Sequence, residues 1–203
     1  LLTALTERGI DPNQRYLFVI DGSKALRQAI DCVFGPAHPV QRCRNHKVEN
    51  VLGYLPEDQK DQVKASMKAA FQLEADNGQA KLEKLAQWLE KEHPSAAASL
   101  REGLTEMFTI NRLGLPASLR RCLGSTNVIE SPNSGISDRT RRVKHWRDAT
   151  MVIRWVAASL MDMEKRFRRI MGYQHLWILQ THLDQLVGDP VSEKNVARKD
   201  KVA

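Results

Sequence analysis

The 203-residue chain has only three cysteines, and Cys32, Cys43 and Cys122 show no paired spacing. That odd, scattered set argues for a reduced, cytosolic setting over a disulfide framework. No segment has the charged start, apolar centre and small-residue cleavage site of a signal peptide. Long apolar runs are missing too. The most apolar stretch, Met151 to Met163, is broken by Arg154 and ends beside Asp162 and Glu164, so no membrane span is expected. There is no internal repeat. Zinc-finger spacing is also absent: Cys43 and His46 form a C-x-x-H pair, but no second pair follows, and His38 and Cys32 are only loosely spaced candidates.

What the chain has in quantity is positive charge. Thirty-one Lys and Arg against 24 Asp and Glu leave a formal net charge of +7. Such a balance favours an acidic partner, with nucleic acid the first candidate. The excess is concentrated between Arg139 and Arg169, whereas Glu57 to Glu92 mixes signs and reads as solvated helical surface. Leu1 stands where a methionine would start a chain, with Leu2 and Leu5 already at helical spacing, and we expect a fragment of a longer protein.

Periodicity gives the organisation. Residues 1–9 read as a helix end stopped by Gly9. Tyr16 to Ile20 is a five-residue apolar run, expected as a strand buried on both faces. Leu26, Ile30 and Phe34 give a helix from Ser23 that ends at Gly35-Pro36. A short extended piece, Pro39 to Cys43, and a helix through Val48, Val51, Leu52 and Leu55 follow. This order predicts a parallel strand pair with a right-handed crossover. Three helices are expected over 57–75, 79–92 and 95–109, punctuated by Gly78 and Pro94, and then a loop-rich return over 110–126. Asp148 can cap a long helix to about Met171, with Val152, Trp155, Val156, Met163 and Phe167 on its buried side. A last helix spans 173–187. The expected division is therefore a partial α/β core (1–56), an α-helical insertion (57–110), a return to the core with C-terminal helices (111–187) and a disordered tail (188–203).

Several residues invite chemistry, each with a plainer alternative. Asp21 ends the first strand, where α/β folds carry their active sites; it is either a metal ligand or a helix cap. Asn127-Val128-Ile129-Glu130 fits a capping box with Glu130 at the third helical position, although Ser or Thr is the usual cap. Cys43 and His46 have the plain reading of a buried thiol and a satisfied histidine. Arg139, Arg141, Arg142 and Lys144 form a basic element suited to phosphates, and Trp146 and Trp155 are assigned to the core.

Three segments, VIDGSKALRQAI (19–30), PVQRCRNHKVENVL (39–52) and STNVIESPNSGISDRTRRVKHW (125–146), together resemble bacterial insertion-sequence transposases of the Mutator superfamily, in the same order and spacing. The resemblance implies a helix-rich α/β fold: a ribonuclease H-like core, here partial, interrupted by a helical insertion. It implies a DDE enzyme that cleaves and joins DNA, with Asp21 and Glu130 as catalytic metal ligands. Two Mg²⁺ or Mn²⁺ ions would clamp the attacking and leaving oxygens. Arg42, Cys43, His46 and Asn127 fall in the active-site neighbourhood, and the basic element would hold DNA. Element ends and target DNA are the implied partners, with a homo-oligomer expected. The implied location is the bacterial cytoplasm, at the nucleoid when DNA-bound.

Two departures stand out. The first catalytic Asp of the family would lie upstream, which would leave the fragment inert alone; Asp11, in a turn, is a poor substitute. Pro132 occupies a usually apolar position, so either the helix continues with a donor lost, or Ser131 caps a new helix and leaves Glu130 outside it. Two other readings remain: a non-catalytic DNA-binding or regulatory transposase remnant, and a helical protein-interaction domain.

Overall fold

Strand β1 (Phe18–Ile20) pairs in parallel with β2 (Val40–Arg42) in the register Phe18↔Val40, Val19↔Gln41 and Ile20↔Arg42. The computed structural model describes residues 1–187. Between the strands runs α2 (Lys24–Phe34), so the parallel pair and its helical crossover stand as expected. The strand is shorter than the apolar run, and only Ile20 of β1 is buried. The sheet has two strands among the described residues, so no further strand pairs with β1 on its far edge. Ile20, Ile30 and Val40 form a small core, with Leu2 of α1 (Leu2–Thr6), Phe18 and Leu26 against it.

The largest core belongs to the helices that follow. It joins α3 (Arg44–Leu52), α4 (Glu57–Gln72), α5 (Ala75–Leu89) and α6 (Pro94–Arg101) around Val51, Val63, Met67, Leu82, Leu100 and Phe108. Pro94 opens α6 at the first helical position, where its missing N–H costs nothing. Gly78 does not punctuate. It lies inside α5, where a Cβ would drive into the Phe108 ring and the Ala70 carbonyl. Glycine is there to let two elements touch.

The third expected helix ends early. After α6 the chain turns at Gly103 (φ 68°), forms a 3₁₀ turn (Thr105–Phe108) and continues into α7 (Thr109–Arg112). Glu102 leaves the helix in an extended conformation, and a Cβ at Gly103 would strike the side chain of Arg42, so the close-packed turn requires glycine. The return over 110–126 is likewise more helical than its glycines suggest, since α8 (Ala117–Leu123) lies within it. Ile110, Leu115 and Leu119 make a third small core against Ile178 and Leu179 of α11 (Leu176–Val187).

Two further expectations need correction. Helix α10 (Ala149–Glu164), capped by Asp148 as expected, stops well before Met171. It packs mainly against α9 (Asn127–Thr140), so Ser159 and Met163 are its buried residues, while Val152, Trp155 and Phe167 are exposed. Trp146 is 38% exposed and is not core. Among the described residues, no helix is long and apolar enough to cross a membrane. The tail expected over 188–203 lies outside the described residues.

Candidate active site

The carboxyl ends of the paired strands put Asp21 and Cys43 side by side in the chain's architecture. Cys43 N–H donates to the Ile20 carbonyl at 2.7 Å, extending the ladder by one step past Arg42. Asp21 is exposed and does not cap α2. Ser23 is the cap, its hydroxyl accepting from Leu26 N–H, while Asp21 Oδ1 accepts from Ser23 N–H at 3.0 Å. Among the described residues, that leaves Oδ2 of Asp21 with no hydrogen bond. Gly22 (φ 104°) makes the turn, with the Arg42 guanidinium packed where a Cβ would be.

Glu130 is delivered from the other end of the sequence. Arg44 N–H, in the first turn of α3, donates to the Gly124 carbonyl at 2.9 Å. Two residues further, Thr126 N–H and Oγ1 approach Cys43 Sγ at 3.4 and 3.2 Å. Thr126 is the N-cap of α9, and its hydroxyl donates to Glu130 Oε1. The capping box read from the sequence is therefore not formed: the cap is one residue earlier than Asn127, and Glu130 sits at the fourth helical position. Helix α9 runs unbroken through Pro132, so Ser131 is no cap and Glu130 lies within the helix.

These segments enclose an open pocket of about 390 Å³ lined by Val19, Ile20, Asp21, Leu26, His46, Thr126, Ile129 and Glu130. Two carboxylates far apart in sequence thus face one volume. His46 Nδ1 is 3.7 Å from Glu130 Oε1. Cys43, His46 and Glu130 offer ligand atoms within 4.8 Å of one another. Asp21 and Glu130 provide the hard oxygen donors that suit Mg²⁺, whereas the sulfur and imidazole of Cys43 and His46 suit a softer ion. His38 is no part of this cluster. It is buried against Tyr16, Phe18 and Phe34, and its Nδ1 accepts from Tyr16 N–H.

Arg42 supports the site from behind. Its Nη2 donates to Glu102 Oε2 at 3.1 Å, and the same carboxylate oxygen accepts from the fully buried Lys47 at 3.2 Å. Burial pushes the Lys47 ammonium pKa down, helped by Arg42, with Glu102 opposing. Burial would raise the Glu102 carboxyl, but Lys47 and Arg42 together hold it below the ordinary range. Gln41, fully buried, bonds the Met107 carbonyl and Ile110 N–H and so ties β2 to the turn before α7. Sequence reasoning missed Thr126, Glu102 and the bracing role of Gln41. Only Thr126 had a signal, one position before the expected cap.

Asn127 is exposed and accepts from Asn45 Nδ2 at 3.3 Å. Both line a groove of about 560 Å³ with Lys64 and Lys68 of α4 and Arg120 and Arg121 of α8. Arg44, at its back, is pushed down to about 10 by burial and by Arg120. On the far end of α9, Arg141, Arg142 and Lys144 are exposed. Arg139 instead pairs with Asp162 of α10 at 2.5 Å.

A family model for the Mutator family of transposases matches residues 1–170. The chain is similar to the transposase for insertion sequence element IST2 of Acidithiobacillus ferrooxidans, 28% identical over 170 residues. That match covers 82% of this chain and 55% of the relative. It is also similar to the transposase for insertion sequence element IS256 in transposon Tn4001 of Staphylococcus aureus, 26% identical over 162 residues, covering 78% of this chain and 40% of the relative. A match of the same identity and coverage occurs in Enterococcus faecalis. The chain spans 40–55% of the length of these relatives.

Proposed function

The chain belongs to the Mutator family of transposases, and from that premise we propose that it carries part of a DDE active site for cleavage and strand transfer of insertion-element DNA. The observation that carries the reading is the meeting of Asp21 and Glu130 at one pocket. Among the described residues each carboxylate has one oxygen in a hydrogen bond and one without, so both can still accept a cation. Asp21 and Glu130 would hold Mg²⁺ or Mn²⁺, which polarises the scissile phosphate and lowers the pKa of an attacking hydroxyl. The protein's own contribution is placement. The Ser23 bond fixes Asp21 at the strand end, and Thr126 fixes Glu130 relative to Cys43. The pocket lining supplies no third acid, and the third member of the triad is assigned to no described residue.

On this reading β1, β2 and α2 are part of a ribonuclease H-like core, and α4 to α6 are its helical insertion. DNA is the partner. Arg141, Arg142 and Lys144 at one end of α9, and Lys64, Lys68, Arg120 and Arg121 in the groove at the other, suit the phosphates of a backbone that passes Glu130. Arg139 braces α9 against α10 and stands apart from the phosphate contacts. Pairing of two copies to join two DNA ends draws support from Ile153 and Met161, apolar and about two-thirds exposed on α10.

In the intact transposase, Asp21→Asn or Glu130→Gln should abolish Mg²⁺-dependent cleavage and strand transfer while DNA binding persists. Cleavage retained by either variant removes that residue from the catalytic role.

A further inference from the structure

Thr126 Oγ1 sits among three atoms that each carry a lone pair for a cation. It lies 3.2 Å from Cys43 Sγ and 3.4 Å from His46 Nδ1, and is bonded to the Glu130 carboxylate. A hydroxyl has one proton to give. It can satisfy one of the three, and the Thr126 N–H, 3.4 Å from Cys43 Sγ, can satisfy a second, so Thr126 leaves at least one of these atoms without a proton. Cys43, His46 and Glu130 offer ligand atoms within 4.8 Å of one another, close enough to share one cation beside the Thr126 hydroxyl.

We propose that Cys43, His46 and Glu130 form a binding site for a thiophilic divalent cation, zinc above all, separate in chemistry from the carboxylate site for Mg²⁺. The donor set decides the ion: thiolate and imidazole favour zinc, and Mg²⁺ prefers oxygen. The spacing agrees. Tetrahedral zinc with bonds near 2.1 Å keeps its nitrogen and oxygen ligands about 3.4 Å apart. His46 Nδ1 and Glu130 Oε1 are already 3.7 Å apart. Three protein ligands with a fourth position open is also the arrangement of zinc sites that retain water or another exchangeable ligand. Cys43 is fully buried at the N-cap of α3, while His46 and Glu130 are half-exposed and give the ion its entry. The thiol proton leaves to solvent as the sulfur–metal bond forms.

The consequence rests on the catalytic reading of Glu130. Zinc at this site takes a carboxylate that the Mg²⁺ chemistry needs, so micromolar zinc should inhibit an enzyme that Mg²⁺ activates. The binding itself does not rest on that reading.

The test is titration of the 203-residue chain with Co²⁺ under reducing conditions, followed by absorbance. A thiolate-to-cobalt charge-transfer band should rise to saturation, be displaced by Zn²⁺, and resist a large excess of Mg²⁺. Cys43→Ser should remove the band, whereas Cys32→Ser, Cys122→Ser and Asp21→Asn should keep it. His46→Gln and Glu130→Gln, both at half-exposed positions tolerant of change, should weaken Co²⁺ binding by more than about tenfold, a scale reached even by groups that only support a ligand. Absence of a thiolate band, its persistence in Cys43→Ser, or unchanged affinity in both His46→Gln and Glu130→Gln overturns the site. Cleavage surviving in Glu130→Gln would remove the catalytic reading and leave the cobalt result standing.

Discussion

Glu102→Gln is the perturbation that best separates electrostatics from packing behind the site. One oxygen of Glu102 accepts from both Arg42, at 3.1 Å, and Lys47, at 3.2 Å. The Lys47 side chain has no solvent exposure, and its other bond is to the Ser99 carbonyl at 2.7 Å. Removing one partner of a buried ion pair costs about 3–5 kcal/mol because the remaining charge is stranded. Glu102 is itself 46% exposed, so water screens part of the interaction, and the glutamine oxygen still accepts one bond. A loss of about 2 kcal/mol is left. For a chain of this size that lowers Tm by roughly 4–8 °C.

The pH dependence gives the sign. Glu102 in the folded chain titrates below its ordinary value of 4.5 because of Lys47 and Arg42. A depressed carboxyl contributes its stability in full above about 4.5, and loses it as pH falls through the lowered folded value. Thermal denaturation followed by circular dichroism at pH 7 and at pH 3.5 should therefore show a gap between wild type and Glu102→Gln that narrows in acid. An equal gap at both pH values would refute the electrostatic account and leave a packing defect in its place.

Gly78→Ala pits helix propensity against space. The substitution gains roughly 1 kcal/mol inside α5 but must displace the buried Phe108 ring and the Ala70 backbone, at about 1–3 kcal/mol, so urea denaturation should show a net loss; a more stable variant would mean the ring yields freely. Arg142→Ala and Lys68→Ala should each weaken duplex DNA binding at all sequences and lower the slope of log affinity against log salt by about 1, measured by fluorescence anisotropy. An unchanged slope in both variants removes those surfaces from phosphate contact.

Local signals were legible wherever a few neighbouring residues decide the outcome. Asp148 as a cap, Pro94 as a boundary between helices and the parallel pair around α2 all follow from short-range chemistry. The misses share a cause. Gly78 reads as a breaker until Phe108 is known to lie on it, and the turn at Gly103 that follows α6 is packed against Arg42, distant in sequence. Trp146, Trp155 and Phe167 have the composition of a core but lack a second surface to bury them, since α10 is covered mainly by α9. Asp21 as a cap and Glu130 in a capping box were both reasonable on pattern. Ser23 took the first role, and Thr126 displaced the second through bonds to Cys43, a partner invisible to any local window.

Helix α9 explains why Pro132 does not settle the aim of Glu130. The helix buries no residue fully, so little of its stability comes from a core. Pro132 also leaves the Val128 carbonyl without its helical donor. What holds α9 is contact at both ends. At the start, Gly124 is bonded to Arg44 N–H, and Thr126 to Cys43 and Glu130. Toward the end, Gly135 admits the Met163 side chain against the backbone, and Arg139 pairs with Asp162. The lost bond falls between these anchors, two residues past Glu130. The direction of the carboxylate is therefore set by Thr126 and the strand ends rather than by the helix downstream, and a proline that would unseat an isolated helix is compatible with an acid held toward the pocket.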